Sequence, residues 1–299
     1  MRNNPVLGWA FALPALILIA LFLVYPTLRT IQLSFDTGLG FTTTEFVGLE
    51  NYVNLFRDRF FFDVSRWPPG GAVFNTILWL ILFTLGTVGI GLAVAVLANS
   101  VRYEVLIKTI IFVPMAISFT AAGIIWRFVY SPDLNTGILN AVLVALIPSF
   151  EPIPWLGRTD VVNVAIIVAG IWIWTGFCMV IISAALKGLP TEVLEAARVD
   201  GATTWQTFWR VMFPMLWPTI VVVATTMIIN VLKAFDLVYI MTQGGPRGAS
   251  RIIGFTMYWE TFNNGLPGKG SAVAVIMLIV VIPFVIFNIR RFRAEEKAR

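Results

Sequence analysis

Little in this sequence is equipped for bond-making chemistry. Histidine is absent altogether, which removes the commonest general base and metal ligand. The one cysteine, Cys178, sits inside an apolar run, so neither a disulfide nor a thiolate metal site can be assembled from it. Gly265-Leu266-Pro267-Gly268-Lys269-Gly270-Ser271 sets a lysine among glycines, as phosphate-binding loops do. Its glycine spacing is wrong, however, and Gly270 stands where Ser or Thr must follow Lys269. The expectation is no catalytic residue, no metal and no cofactor in this chain. The polar groups that remain are placed for contact rather than reaction. Thr226, Asn230 and Lys233 recur at i, i+4 and i+7 and so share one helical face. An asparagine among apolar residues is costly without partners, so Asn230 is expected to face a neighbouring helix or a wet path.

The elements that must carry these groups follow from composition. Apolar residues make up 58% and charged residues 12%, against roughly 25% charged in a typical globular chain. Such a surface suits lipid, not water. The net charge of +5 is not gathered into a basic stripe, which argues against a nucleic-acid partner. A membrane-crossing helix needs about 20 mostly apolar residues, each rising about 1.5 Å. Six charge-free stretches come close to that demand: 7–25, 74–98, 109–126, 161–186, 215–232 and 271–288. The expected fold is all-α, a polytopic membrane helical bundle of six transmembrane helices forming one domain over residues 1–299. The apolar stretch 138–147 is too short to cross and is closed by Pro148, which suggests an interfacial helix.

Details of the spans add expectations. Arg2 precedes the first apolar run, as in a signal peptide, but Val24-Tyr25-Pro26-Thr27 lacks the small-x-small cleavage pattern. An uncleaved first span is expected. With the N-terminus in the cytoplasm, six spans return the C-terminus there. The cytoplasmic segments then hold 11 of the 21 basic residues, including Arg2, Arg102, Lys108, Lys187, Arg198, Arg210, Arg299 and the tail Arg290-Arg291-Phe292-Arg293. Gly86, Gly89 and Ala93 mark a face where a neighbouring helix can approach closely, or else reflect the ordinary glycine content of membrane helices. Pro114 is expected to kink the third span.

The segment 187–214 carries the densest local signals. Pro190 suits a first helical turn, and Glu192 and Glu195 sit where the helix dipole favours negative charge. That helix runs through Ala196-Ala197-Arg198-Val199-Asp200 to Gly201, which can take the left-handed cap conformation. A second helix begins with Thr203 and Gln206 in capping-box spacing and presents Trp205, Phe208, Trp209 and Met212 on one apolar face. Pro214 is expected to end it or bend it into the fifth span. The product is a helix–glycine–helix elbow on the membrane surface. The small face at Ala196 and Ala197, charged at its edges, is shaped to fit another protein's groove.

At this point the sequence resembles a known family. Glu195-Ala196-Ala197, three residues, Gly201, nine residues and then Val211-Met212-Phe213-Pro214 is similar to the EAA loop of ABC importer permeases. Val211 replaces the common Ile and Phe213 the common Leu, and both remain apolar. Phe46-Val47-Gly48-Leu49-Glu50-Asn51-Tyr52 resembles the sugar-importing branch, the relatives of the maltose-transporter permeases. So does Phe235-Asp236-Leu237-Val238-Tyr239-Ile240-Met241-Thr242 with Gly244-Gly245-Pro246. The resemblance implies half of a translocation path in a bacterial inner membrane. A second permease, homologous but different, would form the other half. An ATP-binding subunit would hold ATP and Mg, and an external substrate-binding protein would deliver solute. Glu195, Ala196, Ala197, Asp200, Gly201 and Pro214 would form the coupling surface, and the Gly244-Gly245-Pro246 loop would face the binding protein or be a plain turn.

Two other classes are weaker fits. A secondary transporter or channel usually carries ionisable groups in its spans to bind protons or ions, and these six contain no charged residue. A membrane-embedded enzyme is disfavoured by the lack of His and of intramembrane acids. If the solute is a sugar, its pocket needs aromatic faces and hydrogen-bonding groups. Trp172, Trp174 and Thr175 on the fourth span supply both types, and Ser118, just past Pro114, adds a hydroxyl. With Thr226 and Asn230 these complete the candidate path residues. The alternatives are interfacial anchoring for the tryptophans and a bond to its own helix backbone for Ser118.

Overall fold

Apolar runs in lipid must satisfy their own backbone hydrogen bonds, and a helix does so within one segment. The computed structural model describes residues 5–37, 45–65, 70–99 and 101–297. Arg2 and Arg299, counted in the charge argument, lie outside the described residues. Among these residues the regular structure is all helical. In chain order the helices are α1 (Pro5–Ile19), α2 (Tyr25–Leu33), α3 (Glu50–Arg57), α4 (Gly71–Ala98), α5 (Glu104–Phe112), α6 (Phe119–Val129) and α7 (Ile138–Leu146). Then follow α8 (Val162–Lys187), α9 (Thr191–Val199), α10 (Thr204–Thr207), α11 (Phe213–Leu232), α12 (Asp236–Thr242), α13 (Ile253–Tyr258) and α14 (Pro267–Lys297).

Five helical stretches are long and apolar enough to cross a membrane: Phe11–Leu33, Gly71–Ala98, Val162–Lys187, Thr204–Leu232 and Pro267–Arg290. The stretch 109–126 is broken rather than merely kinked at Pro114. Glu104–Ala116 and Phe119–Val129 meet at 103° and count as a sixth span only if taken together. Pro114 sits in a 3₁₀ turn, Val113–Ala116, and Ile117 and Ser118 follow in extended conformation. The missing N–H and the ring break the helix outright here.

Two other prolines break less than expected. The π-helical turns Ala20–Val24 and Phe208–Met212 end two residues before Pro26 and Pro214. There the N–H groups of Tyr25 and Phe213 reach five residues back, to the carbonyls of Ala20 and Phe208. The wider turn relieves the clash a proline ring makes with the preceding turn. The first span therefore continues to Leu33 rather than stopping at 25. The fifth begins at Thr204 rather than 215, so the second elbow helix is its opening turns and Pro214 does not end it.

The chain divides into two units, residues 1–58 with 256–280 and residues 59–255 with 281–299. In the first, the Asn51 amide donates to the Ser34 and Asp36 carbonyls at 3.0 and 2.8 Å. Lys269 pairs with Asp58 at 2.9 Å and with Glu260, only 2% exposed, at 3.3 Å. The lysine of the glycine-rich stretch is thus committed to an ion-pair cluster. The second unit is built on α4 packed along α8, with α11 against both. Gly86 makes room for Ile171, and a Cβ on Gly91 would stand 2.7 Å from that of Cys178. Gly89 meets nothing within 4 Å. The close approach therefore uses Gly86 and Gly91, while Gly89 and Ala93 line an open apolar groove with Trp205 and Trp209.

Candidate functional site

The elbow forms as its sequence dictates. Pro190 precedes α9, and Asp200 closes it. Gly201 has φ +76°, its N–H donates to the Arg198 carbonyl at 3.0 Å, and Ala202 N–H donates to Ala197 at 3.0 Å. These two bonds define a Schellman cap, which satisfies carbonyls that the helix end would leave open. The capping box is present on both sides: Gln206 N–H donates to Thr203 Oγ1 at 3.3 Å, and Thr203 N–H donates to Gln206 Oε1 at 2.9 Å. The two alanines do not share a face. Ala197 is buried against the bundle, whereas Ala196 points outward beside the exposed Glu195, Asp200 and Gly201. Val199 is 87% exposed and Trp205 70%. An acidic, partly apolar knob on a rigid cap is suited to docking, not to reaction. Pro214 stands apart from it, inside the continuous fifth span.

A cavity of about 230 Å³ lies where the fifth span ends. Aromatic side chains from four elements wall it: Trp79 and Phe83 of α4, Phe119 of α6, Trp174 of α8, and Phe235 before α12. Asn230, Lys233 and Asp236 supply its polar groups. Their side chains make no hydrogen bond or ion pair among the described residues. The break after Leu232 puts them there, because Lys233 caps α11 and α12 starts three residues later.

Of the candidate path residues, the structure brings Trp174 and Asn230 together and sets the others aside. Trp172 turns the other way, edge-on to Trp126 at 5.8 Å. Thr175 is buried and donates to the Ile171 carbonyl at 2.6 Å, and Thr226 likewise bonds Val222 at 3.0 Å. Ser118 Oγ accepts from Ala121 N–H at 3.2 Å and caps α6. Lys233 joins Asn230 as their shared helical face predicts, and Asp236 of the Phe235–Thr242 motif was not expected at the site.

The Gly244-Gly245-Pro246 turn is tied to the bundle by residues that spacing did not single out. Asn75 of α4 donates to the Ala249 and Arg251 carbonyls at 2.8 and 2.7 Å. Asn163 of α8 donates to Asn75 Oδ1 at 3.0 Å and to Ala249 at 2.6 Å, and accepts from Trp79 at 3.4 Å. Gln243, Gly244, Arg247 and Gly248 all have positive φ, so the turn is tightly coiled.

A capped acidic elbow between two spans, with a solute-sized cavity beyond it, is a transport architecture. Residues 86–292, which include the elbow and all of the cavity wall but Trp79 and Phe83, match the family model of the binding-protein-dependent transport system inner membrane component. The chain belongs to that family. It is a permease subunit of an ABC importer, a multi-pass inner-membrane protein that works with a periplasmic binding protein, and ATP is handled by a separate subunit.

Relatives agree along nearly the full length. The permease is 47% identical to the osmoprotective compounds uptake permease protein GgtC of Synechocystis sp., covering 97% of this chain and 100% of that one. It is 40% identical to the alpha-glucoside transport system permease protein AglF of Rhizobium meliloti, covering 98% and 84%. Its fold matches a chain of a bacterial ABC transporter that imports the acidic polysaccharide alginate, with TM-score 0.81 and 23% identity over 97% and 96% of the two chains.

Proposed function

We propose that this permease imports a sugar or a small glycoside and that its cavity holds the solute in transit. The observation that carries this reading is the pairing of aromatic walls with uncommitted polar groups around Trp174 and Asn230. Sugars offer an apolar C–H face for ring stacking and hydroxyls for an amide. The cavity falls just under the roughly 300–1,000 Å³ of drug-sized ligand sites, so it suits one small saccharide unit rather than a long chain. A second permease, homologous but different, completes the path. The N- and C-termini and the elbow lie in the cytoplasm, where Glu195, Ala196, Asp200 and Gly201 dock on the ATP-binding subunit. The Gly244-Gly245-Pro246 turn faces the external binding protein. The related permeases named for osmoprotective compounds and alpha-glucosides support the solute class.

The test is uptake of a panel of glycosides by the whole importer in proteoliposomes. Asn230→Leu and Trp174→Ala should slow uptake or change the order of preference, while assembly and binding-protein docking persist. A thermal melt of the same complexes tells a path role from a packing role. Unchanged uptake of every sugar would remove both residues from the site.

A further inference from the structure

Glu104 opens α5, and two lysines close on its carboxylate. Lys187, the last residue of α8, pairs with it at 2.7 Å. Lys108, one turn along α5, pairs with it as well, and the same ammonium donates to Ser183 of α8. Lys187 leads directly through Gly188, Leu189 and Pro190 into the elbow. At the other end of α5 the backbones themselves meet. A Cβ on Gly176 of α8 would stand 2.7 Å from both the Ile111 carbonyl oxygen and the Phe112 Cα. Thus α5 is fixed to α8 at both of its ends.

The other half of the broken span packs mainly on α12 and also touches α8, where Phe119 stacks on Trp174 and Tyr130 O–H donates to the Ala165 carbonyl at 2.9 Å. A Cβ on Gly123 of α6 would stand 2.8 Å from Ile240 of α12, and α6 packs along α12. Between the two halves lie only the Val113–Ala116 turn and the extended Ile117 and Ser118. Phe119, the first residue of α6, forms part of the cavity wall. The bent span is therefore divided between two partners, α5 lying on α8 and α6 mainly on α12.

We propose that Glu104 is a positioning residue that makes α5 travel with α8 and the elbow, so that elbow motion reaches the bend at residues 113–118 and shifts the Phe119 edge of the cavity. The proposal rests on the elbow reading given above. Without the carboxylate, Lys108 and Lys187 lose their shared counter-charge, and like charges at this range repel. The tie at the Lys187 end is then left to the Lys108–Ser183 bond and loosens, while the one at Gly176 persists.

The test uses the complete importer in proteoliposomes and reads ATP hydrolysed per solute imported. Glu104→Gln should raise that ratio several-fold with the ATPase still bound. In a Cys178→Ala background, Val105→Cys and Ala184→Cys place one thiol on α5 and one on α8 in the same groove. Joining them with a short bifunctional maleimide should leave transport intact and restore the ratio in Glu104→Gln. An unchanged ratio in Glu104→Gln, a block on cross-linking, or failure of the cross-link to restore the ratio would each overturn the proposal. Glu195→Ala separates the two readings. Normal coupling there removes the elbow assignment and the proposal with it, whereas a raised ratio there beside a normal one in Glu104→Gln removes the tether alone.

Discussion

At the scale of single residues, Gly201 offers an unusually clean experiment. Its φ of +76° is a conformation that side-chain-bearing residues resist, yet a Cβ there meets nothing within 4 Å. A substitution therefore acts through the backbone alone. For a β-branched residue the strain is about 1–2 kcal/mol. The glycines of the helix contacts behave differently, since a Cβ on Gly91 or Gly176 would strike a neighbouring helix. Gly201→Val should therefore insert normally and leave the melting of the bundle nearly unchanged. It should reduce co-purification of the ATPase and slow uptake, with Gly201→Ala intermediate. Densitometry of the purified complex, beside an uptake assay, checks this. Native-level assembly and uptake for Gly201→Val would mean that the Schellman cap does not position the docking surface. The cap was readable in the sequence because every bond in it spans six residues or fewer. The sorting of Trp174 from Trp172 was not, since two residues on a helix face different neighbours and only tertiary packing decides which neighbour borders a cavity.

At the scale of elements, sequence distance separates what was readable from what was not. The elbow's helix starts, its capping box and the existence of the apolar runs depend on residues within a turn or two of one another, and those expectations stand, whereas several span bounds moved. The fates of Pro26, Pro114 and Pro214 diverged, because each depends on how the preceding turn can adjust. A π-turn absorbs Pro26 and Pro214, and no such turn precedes Pro114. The loop at 243–252 lies at the far extreme. Its anchors are 174 and 176 residues away in the case of Asn75, and 86 in the case of Asn163. Asparagine at the end of a span reads locally as an ordinary polar residue, so nothing in the sequence marks either one. The structure gives them a measurable role. Asn163→Leu would leave the Trp79 N–H without its acceptor, Asn75 Oδ1 without its donor, and the Ala249 carbonyl with one bond fewer. A buried group left unpaired costs about 1–3 kcal/mol. The purified complex should melt several degrees lower, and limited proteolysis should reach residues 243–252 more readily. Protection equal to the native chain would show that Asn163 is not needed to hold the loop.

At the scale of the whole molecule, the question is which way the spans run. The first span buries none of its most apolar window and the last only 11%, against 61% for Val162–Lys187. Burial therefore cannot report direction, and charge must. The proposed orientation puts Arg198 and Arg210 on the same side as the tail that contains Arg290, and the segment at 259–264 on the other. Single thiols test it. Cys178 is fully buried and can be replaced by alanine to clear the background. Trp205 is 70% exposed and suits the elbow side. On the opposite side Asn263 is the better choice, because the neighbouring Asn264 donates to Glu260 at 3.0 Å and belongs to the Lys269 cluster. In intact spheroplasts an impermeant maleimide should label Asn263→Cys and spare Trp205→Cys, and permeabilisation should expose the second. The reverse pattern would turn the molecule over. The elbow would then face away from cellular ATP, the coupling assignment and the Glu104 tether would both fall, and the basic residues would need an explanation other than retention in the cytoplasm.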